Sequence, residues 1–329
     1  LTGFFIGNTT KIDSSRLYFT PTRNTPFMVA GGVIVYSEKQ AIDIAKTVDG
    51  KVKYILVDAE KKIPAEMSLH GEPANVERAV REVVQESTLW IYKGNDLTVD
   101  AVDALLTQLT KKSVRGIGGA KVCILGAGNL GAKLALKLVE RGAHVTITRR
   151  KQDVLEAIVL GLNYIKPSYT TSSVTGTTNN EDAAKGSEIL IGTTQGNPVI
   201  TPKIIETLAD KAIIIDVGKG TLYPDAIEIA EKRNLNIFRL DVSAAIGALI
   251  QKLLETEQIV DKKFGRRLLY EESLVSGGLL GKKGEMIVDN VWNPTIVYGI
   301  SDGIGDFIRS LSENEIQRIG RLQKIFENI

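Results

Sequence analysis

Gly126, Gly128 and Gly131 form a G-x-G-x-x-G run, Gly126-Ala127-Gly128-Asn129-Leu130-Gly131. Each glycine has a distinct physical use. The first permits a tight turn, the second lets the backbone approach a phosphate with no Cβ in the way, and the third allows a helix to pack closely on a sheet. Anions settle at such a turn because the following helix points free N–H groups and its positive dipole end at them. Twenty residues on, where a carboxylate would accept from the ribose 2′-hydroxyl of NAD, stand Thr148, Arg149, Arg150 and Lys151. A carboxylate repels a 2′-phosphate and a guanidinium can hold one with two N–H groups, so the expected cofactor is NADP.

The elements around this run fit a dinucleotide site. Val122 to Leu125 reads as a buried strand. Leu130, Leu134, Leu138 and Val139 make one face of a helix, Gly142 ends it, and His144 to Thr148 reads as a second strand. Further strands are expected at 188–192, 212–217 and 236–240, and helices at 154–162, from Thr201-Pro202 onward, and at 224–233. The succession predicts a six-stranded doubly wound sheet over 113–250, with ligand loops at the carboxyl ends of its strands. Those loops hold Gly126 to Gly131, Arg149 to Lys151, Thr193 to Gly196 and Val217-Gly218 to Gly220; Thr193 and Thr194 either approach the nicotinamide or bond their own backbone.

Before it, residues 1–112 alternate strand-like and helical patterns, which predicts a smaller, largely parallel α/β domain carrying substrate and catalytic groups. Its clear elements are a strand at 33–36, a helix capped by Ser37 with Gln40, a strand at 52–57, a helix with Pro73 in its first turn, a strand at 89–92 and a helix capped by Thr98. Gly31-Gly32 reads as a turn, Lys93 to Asp96 as a loop and Gly116 to Gly119 as a hinge. Residues 251–329 are expected to be a helical and loop segment packing back on the first domain. In it, 276–308 reads as a Gly- and Asp-rich run walling a cleft or forming a dimer contact, and Ser312 with Glu315 as a capping box.

The bulk numbers bound the rest. The chain has 329 residues, enough for two domains, with 43% hydrophobic and 24% charged residues and a net charge of +2. That charge is too small to point to nucleic acid, and no run is long and apolar enough to span a membrane. The expectation is a cytoplasmic protein without a signal segment, acting on a small molecule as a homodimer. The single cysteine, Cys123, reads as apolar filler. No cluster has metal-ligand spacing, so no metal is expected.

From Tyr92 to Gln251 the order of parts resembles the shikimate and quinate dehydrogenase family, and more distantly the methylenetetrahydrofolate and methylenetetrahydromethanopterin dehydrogenases. The resemblance rests on Gly126 to Gly131, on Thr148-Arg149-Arg150, on Ile191-Gly192-Thr193-Thr194 in place of that family's Asn-Ala-Thr turn, on Asp216 to Leu222, and on Gly94-Asn95-Asp96. It implies a catalytic pair of Asp96 with a lysine from an earlier loop, for which Lys61, Lys62 and Lys93 are candidates. The carboxylate would orient the ammonium and the lysine would move the proton of an alcohol. No Ser-x-Ser substrate motif lies near the N-terminus, so shikimate itself is not implied. His70 is a weaker alternative acid/base, and His144 falls on a core strand. The function expected is hydride transfer between NADP(H) and a small polar alcohol or carbonyl compound. The alternatives are a methylene-folate- or pterin-like dehydrogenase, an amino-acid or imine reductase on the same scaffold, or a protein that senses NADP(H) without turnover.

Overall fold

The computed structural model describes residues 1–9, 17–64, 74–195 and 197–327. Two compact units emerge, residues 1–249 and 250–329. The first opens with β1 (Thr2–Asn8), β2 (Tyr18–Asn24), β3 (Val29–Val35), α1 (Glu38–Val48), β4 (Tyr54–Asp58), α2 (Val76–Arg81), β5 (Thr88–Tyr92) and α3 (Gly94–Leu109). The strands form a sheet in the order β2-β3-β1-β4-β5, parallel except for the edge strand β2. Consequently Asn8, Asp58 and Tyr92, the last residues of three parallel strands, stand along one edge of the sheet. The β4 run Tyr-Ile-Leu-Val-Asp is buried throughout, as a strand covered on both faces must be. Tyr54 stacks on Trp90 at 3.9 Å between ring centres.

The structure departs from the sequence expectations at several points. Gly31 and Gly32 are not a turn; they lie inside β3, where a Cβ on Gly32 would press on the carbonyl and side chain of Phe5 in the adjacent strand. Residues Gly94 to Asp96 are the first turn of α3, and Thr98 lies within that helix and bonds the Gly94 carbonyl. The expected hinge is tied down, with Ile117 buried and the Gly119 N–H donating to Gly142. Ser37 does cap α1 by accepting from the Gln40 N–H. Pro73 and His70 lie outside the described residues.

Next come β6 (Lys121–Leu125), α4 (Asn129–Glu140), β7 (His144–Thr148), α5 (Gln152–Ile165), β8 (Val174–Thr177), α6 (Asn180–Ala184), β9 (Ile189–Gly192), α7 (Pro202–Thr207), β10 (Ile213–Asp216), α8 (Pro224–Lys232) and β11 (Asn236–Arg239). The sheet is parallel, in the order β11-β10-β9-β6-β7-β8. Its order reverses beside β6, where doubly wound sheets bind ligands. The stretch 170–180 contains β8 and the start of α6, neither of them among the expected elements; four residues of β8, half of them exposed, gave too weak an alternation to read. His144 opens β7 but is exposed. Cys123 is fully buried, and burial pushes its thiol up to about 12, so it stays a neutral packing group.

Helix α9 (Ser243–Lys262) carries the chain into the second unit. There β12 (Arg266–Leu269), β13 (Glu272–Ser276), β14 (Met286–Val288) and β15 (Val297–Ile300) form a four-stranded sheet, followed by α10 (Glu313–Phe326). This replaces the loops expected over 276–308. Strands of three to five residues between Gly-rich turns leave little periodicity, and Leu274, Met286, Val288, Ile300, Leu322 and Phe326 gather into a core only in three dimensions. Ser312 and Glu315 do form the reciprocal capping box.

The buried Glu272 carboxylate anchors α10: Arg318 meets it at 2.6 Å and Arg321 at 2.9 Å. Hydrogen bonding from Arg318 is the main cause holding its carboxyl below the usual range. A depressed carboxylate contributes stability at neutral pH that is lost as pH falls from the ordinary glutamate value of 4.5 through the folded one. Arg318→Met should therefore lower unfolding stability by about 1–3 kcal/mol at neutral pH. The loss should shrink in acid, as denaturant melts at several pH values would show. A pH-independent loss would mean that packing, not charge, is what Arg318 supplies.

Candidate active site

Strand β4 ends in Asp58, and the chain turns at once through Ala59-Glu60-Lys61-Lys62. The Lys62 ammonium sits 2.7 Å from Asp58 Oδ2 and 2.9 Å from Glu60 Oε2. The first turn of α3 holds both acids. The Gly94 N–H donates to Asp58 Oδ1 at 3.1 Å and the Asn95 N–H to Glu60 Oε2 at 2.7 Å. Carboxylates suit that place, since the first N–H groups of a helix lack intrahelical acceptors and its dipole favours negative charge. A Cβ at 94 would lie 2.8 Å from Asp58 Oδ2 and 3.0 Å from Lys62 Nζ, so a side chain there would displace the pair.

Glu60 continues the network. Burial acts to raise its carboxyl, but hydrogen bonds from Lys62, Asn95 and Lys133 overcome that and hold it low. Lys133, on α4, lies 3.1 Å from Glu60 and 2.6 Å from Asp96. One and two turns along, Lys137 meets Asp100 at 2.8 Å and Arg141 meets Asp103. The helix that begins at the glycine turn is thus zipped to the helix that caps the acids, and Asn95 Nδ2 adds a 2.9 Å bond to Asn129 Oδ1.

A cavity of about 250 Å³ adjoins these groups. Asn8, Asp58, Lys62 and Tyr92 line it from the first sheet, Val217 and Leu240 from beyond β10 and β11 of the second. It is of a size for a small metabolite. The Tyr92 ring meets Phe5 edge-on at 5.3 Å. Burial, then the charges of Asp58 and Glu60, push its hydroxyl well above the ordinary value, so it remains a donor.

The expected catalytic residues divide on this geometry. Lys62 lines the cavity, but its carboxylate is Asp58 and not Asp96. Asp96 is spent on Lys133 and Lys93, the latter at 3.2 Å, and does not line the cavity. Lys61 and Lys93 are exposed, and neither lines it. Asn8, Asp58 and Tyr92, which line the cavity with Lys62, and Glu60 and Lys133, which extend its ion-pair network, were not among the expected residues. The rule that ligands gather at carboxyl ends of parallel strands, applied to the first sheet as to the second, points to Asn8, Asp58 and Tyr92.

At the glycine turn, Gly126 has φ +112°, and a Cβ there would meet Thr193 Oγ1 at 3.0 Å. A Cβ on Gly131 would run into the Gly126 carbonyl, whereas one on Gly128 meets nothing within 4 Å. The space above Gly128, beside the N-terminus of α4 at Asn129 and Leu130, is open, as a pyrophosphate at that turn would require. Arg149 donates to the Ala127 carbonyl at 2.6 Å, which sets its guanidinium against the turn, and Arg150 is exposed beside it. Thr148 backs the turn by accepting from the Gly126 N–H. The Thr193 hydroxyl is occupied by the Leu125 and Gly126 carbonyls, and that of Thr194 by Asn197. Both threonines therefore shape the loop by bonding backbone. Gly218 lets its loop pass the Thr194 carbonyl, which a Cβ would strike.

The sequence matches the family described as NADP oxidoreductase, coenzyme F420-dependent, over residues 121–220. That is β6 through the loop after β10, and with the glycine geometry it defines a Rossmann-type domain for a nicotinamide dinucleotide. No curated protein matches the sequence. Among solved structures, a dipicolinate synthase chain from Bacillus halodurans is 15% identical, with 78% of this chain and 97% of that one covered and a TM-score of 0.38. Glutamate dehydrogenase from Thermus thermophilus is 16% identical over 79% and 69%, TM-score 0.46. Ornithine carbamoyltransferase from Campylobacter jejuni is 13% identical over 78% and 88%, TM-score 0.44. At such identities nothing about activity transfers. Among the described residues no helix is long and apolar enough to cross a membrane, and no three His, Cys, Asp or Glu side chains converge as a metal site.

Proposed function

We propose that the protein is an NADP(H)-dependent oxidoreductase that moves a hydride between the nicotinamide and a small polar alcohol or carbonyl compound. The observation that carries this reading is the Lys62–Asp58 pair lining a cavity whose opposite side is the strand ends of the dinucleotide sheet. Bound NADP would supply the hydride chemistry. Gly126 to Gly131 would hold its pyrophosphate, and Arg149 and Arg150 its 2′-phosphate. Lys62, oriented by Asp58 and Glu60, gives its proton to the carbonyl oxygen on reduction or receives it on oxidation. Tyr92 adds a neutral donor at the same wall. A protein that only senses NADP(H) has no use for an ordered lysine–carboxylate pair in that cavity. A methylene-pterin or imine substrate would use the same cofactor half and differ only in the reacting group.

Titration with NADPH and NADH, followed by a substrate screen reading reduced-cofactor absorbance, tests the reading. Arg149→Asp should weaken NADPH binding by about 10- to 100-fold, the worth of a charge-assisted contact to phosphate. NADH should weaken far less, although loss of the Ala127 contact disturbs the turn for both. Equal losses for the two cofactors would remove the 2′-phosphate from the role of Arg149.

A further inference from the structure

Asn8 carries a polar atom that the fold itself leaves unused. It ends the central strand β1, is only 6% exposed and lines the cavity. Its Nδ2 donates to the Asp58 carbonyl at 3.1 Å and to the Glu60 carbonyl at 2.8 Å, which fixes which end of the amide is nitrogen. Its Oδ1 is buried and has no hydrogen-bond partner among the described residues. A buried acceptor left unpaired is costly, and native structures rarely keep one without a use. The same two residues, Asp58 and Glu60, hold the Asn8 amide through their carbonyls and the Lys62 ammonium through their carboxylates. The acceptor and the proton donor are therefore set by one short turn.

We infer that Asn8 selects the ligand of this cavity, its Oδ1 accepting from an O–H or N–H on the carbon next to the reacting one. This rests on the oxidoreductase reading for what Lys62 does, and narrows the substrate to small α-hydroxy or α-amino carbonyl compounds and the corresponding reduced alcohols. Phe5, Leu97 and Ile246 add apolar surface for a carbon skeleton to a lining that also includes Arg23 and Lys219.

The test uses three probes on the full chain: 2-hydroxycyclohexanone, 2-methoxycyclohexanone and cyclohexanone, titrated by protein-observed NMR with and without NADPH. The hydroxy probe should bind at least about tenfold more tightly than the methoxy one, which cannot donate. Asn8→Ala should bring that ratio near one. Asn8→Asp, which loses both donors but keeps an acceptor, should retain it, and this separates a ligand contact from a merely structural amide. Equal affinities in the wild-type protein would mean that water alone meets Oδ1, and would overturn the inference, as would no binding of the hydroxy probe at millimolar concentration. If the preference holds but no probe changes NADPH absorbance, the oxidoreductase reading fails and the Asn8 contact stands.

Discussion

Gly128→Ala is expected to leave thermal stability unchanged and to weaken dinucleotide binding by one to two orders of magnitude. The residue sits at φ −85° and ψ −167°, extended backbone open to any side chain, and an added Cβ meets nothing within 4 Å. The fold therefore does not require glycine there. The ligand does, because the methyl occupies the approach of the pyrophosphate, and overpacking a close contact by one carbon costs about 1–3 kcal/mol. Gly131→Ala is the contrasting control, since its Cβ strikes the Gly126 carbonyl and must disturb the β6–α4 junction itself. Melting curves and cofactor titrations on the two variants separate the effects. Full cofactor affinity in Gly128→Ala would show that no phosphate lies over this turn.

Lys62→Met should cut kcat by about 10²- to 10⁴-fold, the usual worth of a positioned acid/base, with cofactor affinity little changed. The chain should still fold, because Asp58 and Glu60 keep the Gly94 and Asn95 N–H groups and Glu60 keeps Lys133. Lys62→Arg is the sharper variant. It preserves the positive charge between the two carboxylates, yet a guanidinium does not release a proton at accessible pH. If Lys62 moves a proton, arginine should be nearly as inactive as methionine. Recovery of most of the turnover by arginine would reduce Lys62 to an electrostatic anchor. Activity of Asp96→Asn tests the same assignment from the other side: it should alter the contact with Lys133 while leaving most of kcat, and a loss as large as that of Lys62→Met would restore Asp96 as a catalytic residue.

The Rossmann-type domain was legible in the sequence because the requirements of its glycine turn are local. A tight turn, a close backbone approach and a helix start each depend on residues within about two turns of one another. Gly126 to Gly131, the apolar face of α4 and the basic residues after β7 state them in a single stretch of about 30 residues. Five of the six strands of the sheet followed for the same reason, since apolar runs such as Ile213-Ile214-Ile215 and the caps at Thr201 and Pro202 are local signals.

The cavity wall formed by the first sheet obeys another logic. Asp58 and Lys62 are four residues apart, but their relation to Gly94, Asn8 and Tyr92 exists only because β1, β4 and β5 run parallel and end at one edge. Nothing in the spacing of Asp96 distinguishes an acid that faces a cavity from one that fastens two helices, and Lys133, which claims it, comes from the other sheet's first helix. By itself the chain determined a Rossmann-type domain and the glycine turn that opens it. Which lysine and which carboxylate meet beside it was decided by tertiary packing, because an ion pair depends on distance in space and carries no mark in the order of residues.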